Sequence, residues 1–117
     1  MISMPVFEDE IEDLETKILY QGMEIEVVEE SIDRIKDMVY LAVELEYDIA
    51  KENGNGKHLS NDKKRGIEVK KRLQENKEFD DKVEELKYLK EIHILSKIKA
   101  SALKRKYVRE FCQKSFL

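Results

Sequence analysis

Tryptophan is absent from this chain of 117 residues; cysteine and proline occur once each, and glycine only four times. Each scarcity excludes something. A lone Cys112 leaves no intrachain disulfide framework and no cysteine-based zinc site, and the residues near it supply no base to activate it. With Pro5 the only proline, most of the chain is free of the strongest helix breaker. No apolar run approaches the roughly 18 residues of a membrane helix. The first ten residues, MISMPVFEDE, are acidic and do not read as a secretory signal. A cytoplasmic location is the expectation. Gly54 and Gly56 follow a helical pattern and lack the Lys-Ser/Thr of a nucleotide-binding loop.

What is present is charge and a heptad. Charged and apolar residues each make up 41% of the chain, a balance suited to long exposed helices. From Phe7 the spacings alternate four and three through Ile11, Leu14, Ile18, Gln21, Ile25, Val28, Ile32, Ile35, Val39, Ala42, Glu46 and Ile49. Such a seam belongs to a helix packed lengthwise on another. The first helix is expected from about 5 to 52, with Glu8, Asp9 and Glu10 at its positive end. Gly22, beside Gln21 in the seam, marks a kink or a close helix contact. Asn53-Gly54-Asn55-Gly56 stops the helix, and Ser60, Asn61 and Asp62 are candidate N-caps, with Leu59 as a hydrophobic staple. After a turn over about 53–60, a second helix is expected over about 61–111. Its apolar residues are Ile67, Val69, Leu73, Phe79, Val83, Leu86, Leu89, Ile92, Leu95, Ile98, Leu103, Tyr107 and Phe111, with Ile94 on a further side.

A short turn between long helices makes them antiparallel, so the fold class is an all-α helical hairpin in one domain over 1–117. Charge agrees. Residues 1–50 hold fifteen acids against three bases, and residues 97–117 hold seven bases against one acid. Antiparallel pairing sets the acidic start beside the basic end, and many weak pairs select that alignment. A second apolar line on the first helix, Tyr20, Met23, Val27, Met38, Leu41 and Leu45, lies roughly 80–140° from the main seam. It points to a homodimer in which two hairpins form a four-helix bundle, since a bundle helix buries a wider face.

No enzyme site or cofactor is expected. Glu26, Glu29, Glu30, Asp33, Asp37, Glu44 and Asp48 invite comparison with metal-dependent nucleotide hydrolases. They point away from the seam, however, where magnesium ligands must converge inward. Glu91-Ile92-His93 has the wrong spacing for a di-iron bundle, so His93 reads as a core or interface histidine. His58 lies in the turn.

The informative basic feature is Lys63-Lys64-Arg65, repeated seven residues later as Lys70-Lys71-Arg72. Seven residues are nearly two turns, which stacks the triplets into a stripe about 10 Å long, suited to phosphates. A second cluster, Lys97, Lys99, Lys104, Arg105, Lys106 and Arg109, interleaves Tyr107 and precedes Phe111, so an aromatic could stack on a base. The bland account is that both clusters neutralise the acidic first helix.

The pattern Leu59-Ser60-Asn61, Lys64-Arg65, Leu73, Glu78-Phe79 and Leu86 resembles small helical hairpin proteins encoded by prophages and other mobile elements. The resemblance covers residues 57–89 and implies an accessory protein of a virus or mobile element, with no assigned chemistry. Three readings of function follow. One is a non-enzymatic accessory acting on DNA, RNA or a nucleic-acid-processing complex. The second is a protein-directed adaptor or inhibitor whose acidic first helix docks on a basic partner. The third and weakest is a metal-dependent nucleotide hydrolase.

Overall fold

The computed structural model describes residues 4–55, 57 and 61–112. It is all-α, with no strand among the described residues: α1 spans Met4–Glu52, α2 Asp62–Gln74 and α3 Lys77–Tyr107, with a π-helical turn over Val108–Cys112. No helix of the described residues is long and apolar enough to cross a membrane. Because α1 starts at Met4, Glu8, Asp9 and Glu10 sit beyond its first turn, which holds no acid. Their carboxylates therefore lie outside the turn where the helix dipole acts most strongly.

The end of α1 follows from Gly54, whose φ of 76° only glycine adopts without cost. The Asn55 amide reaches back to the Ala50 carbonyl at 2.7 Å and the Gly54 amide to Lys51 at 3.1 Å, a Schellman closure. Of the candidate caps for α2, Asn61 is used. Its side chain accepts from the Lys64 amide at 2.8 Å. Ser60, Leu59, His58 and Gly56 lie outside the described residues.

The uninterrupted helix expected over 61–111 is corrected to two helices. At Glu75 and Asn76 the chain leaves α2, and Asn76 starts α3 by accepting the Phe79 amide on its side chain at 2.9 Å. Asparagine competes for backbone donors in this way, which makes it a poor helix-interior residue and a good cap.

Contacts divide the chain into two compact units, residues 1–26 with 87–117 and residues 27–86. In the first unit α1 and α3 run antiparallel: Phe7 meets Tyr107, Glu15 meets Lys104, and Gln21 meets Ser96. At one end Phe7 is fully buried, its ring centroid 5.7 Å from Tyr107 and 5.6 Å from Phe111. Further along, Gln21 is only 7% exposed and donates through Nε2 to the Ser96 hydroxyl at 3.0 Å. A Cβ built on Gly22 would lie 3.4 Å from His93 Cε1, ordinary van der Waals contact, so the helices meet at Gly22 without an approach that requires glycine. Gln21 Oε1 and His93 Nδ1 are buried without a hydrogen-bond partner. A slip by one heptad would leave Gln21 Nε2 unpaired as well, so this polar layer specifies register at some cost in stability.

In the second unit Val28, Ile32, Ile35 and Val43 are buried. The heptad holds as far as Val39. Beyond it the inward positions are Val43, Tyr47 and Ala50, whereas Ala42, Glu46 and Ile49 are exposed. The spacing there is four, four, three, as expected when a 3.6-residue helix drifts off a 3.5-residue repeat and is reset by a stutter. On α2 of this unit Ile67 is exposed; in the first unit Leu95 and Ile98 of α3 are exposed, while Ser96 and Ala100 are buried in the seam. Small residues win there because they let the α3 backbone approach α1.

Ile32→Ala should lower stability by about 2–5 kcal/mol, and Ile49→Ala by about 0.5 kcal/mol or less, in denaturant unfolding. Equal costs would contradict the stutter.

Candidate nucleic-acid interface

The structure separates the members of each basic triplet. In the second unit Arg65 and Arg72 fall on the heptad line with Val69 and Asn76, which turns them toward α1. The Arg65 side chain is 13% exposed, lies over the Tyr47 ring at 4.5 Å, and sets Nε 2.9 Å from Glu44. It also pairs with Asp62. Arg72 donates through Nε to Glu68 at 2.9 Å and through Nη2 to Glu46. Burial works to lower the Arg65 pKa, but Glu44 and the Asp62 bond outweigh it and the net shift is upward. For Arg72 the bonds to Glu68 and Glu46 raise the pKa against burial. Both stay cationic wherever the fold persists, so they contribute no titration near neutral pH.

Lys63, Lys64, Lys70 and Lys71 are exposed on α2. Lys64 Nζ also donates to the Lys57 carbonyl at 3.1 Å. Asn61 and Asp62 at the start of the helix offset the penalty of placing two lysines in the first turn.

In the first unit the expected stacking aromatic is already engaged. The Tyr107 hydroxyl donates to Glu8 at 2.8 Å, and its ring packs against Phe7 and Phe111. Lys104 pairs with Glu15, and Lys106 Nζ lies 6.0 Å from the centre of the Phe7 ring. Arg105 and Arg109 are exposed, and with Lys104 and Val108 they line an open cleft of about 550 Å³. The sequence placed Tyr107 among the bases as a stacking platform; the geometry makes it a core aromatic. The signal that could have shown this is Phe7, the matching aromatic at the start of the α1 seam, which antiparallel pairing sets beside Tyr107.

Tyr20, Met23, Val27, Met38, Leu41 and Leu45 are all 53–70% exposed. The acids Glu26, Glu29, Glu30, Asp33, Asp37 and Asp48 are exposed, and Glu44 is half-buried beside Arg65. Among the described residues no three His, Cys, Asp or Glu side chains gather to hold a metal. Comparison with protein-family models, with curated proteins and with solved structures finds no match.

Tyr107→Phe should cost about 0.5–1.5 kcal/mol through loss of the bond to Glu8. It should leave any nucleic-acid affinity unchanged. Weakened binding in an electrophoretic or anisotropy titration would return Tyr107 to the interface.

Proposed function

We propose that this protein is a non-enzymatic accessory protein of a virus or mobile element. It assembles as a homodimer in a four-helix bundle and acts on nucleic acid or on a nucleic-acid-processing complex. The observation that supports this reading best is the sorting on α2, where the arginines bind the acids of α1 and the lysines face outward. Exposed lysines are ordinary on a helix, but these four stand together on one side of α2. The viral or mobile-element origin rests on the resemblance over residues 57–89 alone. Further phosphate contacts come from Arg105 and Arg109, whereas Arg65, Arg72, Lys104 and Tyr107 are held by acids of α1.

Dimerisation is supported by the line of large apolar side chains left on the solvent side of α1, since that much exposed apolar surface favours a covering partner. Leu41→Lys with Leu45→Lys should give helical monomers, because a buried interface tolerates charge poorly. Sedimentation of the native protein as a monomer at roughly tens of micromolar would overturn the dimer.

The second reading, a protein-directed adaptor or inhibitor, is supported by the exposed acids of α1 from Glu26 to Asp48. Salt separates the two. Binding to phosphate weakens along a log–log slope of about 0.9 per contact on duplex and 0.7 on single strands. Absence of binding to DNA and RNA at about 50 mM salt would favour the adaptor.

A further inference from the structure

On α2 the four lysines are not scattered. At 100° per residue Lys63, Lys64, Lys70 and Lys71 all fall within about 60° of Ile67. Lys63 and Lys70 lie on one side of it, Lys64 and Lys71 on the other. Gln74, two turns further along, continues the central line. Ile67, 62% exposed, is the large apolar side chain at the centre of these lysines. The α2 segment carries six bases against Asp62 and Glu68. A Cβ built on Gly66, the residue before Ile67, would meet no heavy atom within 4 Å.

We propose that α2 is a duplex-DNA reading helix that lies in the major groove. Ile67 and Gln74 face the base edges, and the two pairs of lysines reach the phosphates on either side. The inference rests on the nucleic-acid reading above and specifies it. A B-form major groove about 12 Å wide admits one helix, and contacts on its two flanks position the helix while its central line reads sequence. Isoleucine suits the thymine methyl by apolar contact, and glutamine can pair with adenine N6 and N7. Single strands are the weaker fit. They call for exposed aromatics to stack on, yet the α2 face has none, and Tyr107 is packed against Phe7 and Phe111. Duplex RNA is excluded by shape, because its deep, narrow major groove cannot take a helix. Lys64 would exchange its exposed bond to the Lys57 carbonyl for a phosphate.

The test uses the full-length protein at about 50 mM salt against B-form DNA, the matching single strand and an RNA duplex, followed by selection from a randomised DNA duplex pool. The DNA duplex should bind roughly ten-fold or more tightly than either alternative. Lys63→Ala, Lys64→Ala, Lys70→Ala and Lys71→Ala combined should weaken binding to every DNA sequence and reduce the salt slope by about 0.9 per lysine. Ile67→Ala with Gln74→Ala should keep the salt slope but flatten the selected sequence preference. All six side chains are exposed, so circular dichroism should be unchanged in both variants. Equal affinity for single strands or RNA, or a sequence preference untouched by the Ile67 and Gln74 changes, overturns the major-groove assignment. Absence of binding to any nucleic acid overturns the broader functional reading instead.

Discussion

Two antiparallel helices can bury only one stripe each, and most features of this protein depend on that geometric limit. A stripe of about two residues in seven must supply the core, which explains why the seam of α1 is nearly all apolar from Phe7 to Val39. It also explains why so few side chains are fully buried, Phe7 and Val43 being the largest. With so thin a core, small losses matter. The aromatic group of Phe7, Tyr107 and Phe111 in the first unit concentrates burial at one end, and its tilted and edge-on pairs add about 0.5–1.5 kcal/mol each beyond area. Where α3 must approach closely, Ser96 and Ala100 replace larger residues.

The same limit makes electrostatics carry specificity. Apolar stripes alone tolerate slippage by a heptad, but Gln21 with Ser96 and the ion pairs Glu15–Lys104, Glu44–Arg65 and Glu46–Arg72 each choose one alignment. The exposed pairs are worth little individually, about 0–1 kcal/mol. Their value lies in making the wrong registers unfavourable. Once α1 has taken its share of cations, what remains outside is a residue-by-residue remainder: lysines on α2, Arg105 near the end of α3 and Arg109 in the π-helical turn, and acids along α1.

That remainder is what supports a binding role. Arginine goes inward and lysine outward on α2, as suits a planar, multidentate cation against carboxylates and an aromatic face, and a mobile point charge against solvent or phosphate. Arg65 shows the first behaviour most fully, sandwiched between the Tyr47 ring and the carboxylates of Glu44 and Asp62. A chain of net charge −4 would repel phosphate over most of its surface, so attraction has to be local. The π-helical turn at Val108–Cys112 carries Arg109, and its Phe111 packs against Phe7 and Tyr107.

Periodicity determined the all-α class, the start of the seam and the end of α1 at Gly54, because these depend on local backbone preference and on a repeat readable within one helix. Triplet spacing likewise placed Lys63, Lys64, Lys70 and Lys71 on one side of α2, but not the inward turn of Arg65 and Arg72. Tertiary structure decided the rest. The stutter after Val39 arises because helical twist drifts against the heptad, and only the facing residues show where the drift is reset. The break at Asn76 required its side chain to capture the Phe79 amide, a choice that asparagine leaves open in sequence. Whether a lysine, an arginine or Tyr107 is available to a ligand depended on which acid or ring stands opposite. That is a property of the partner helix, and no single segment carries it.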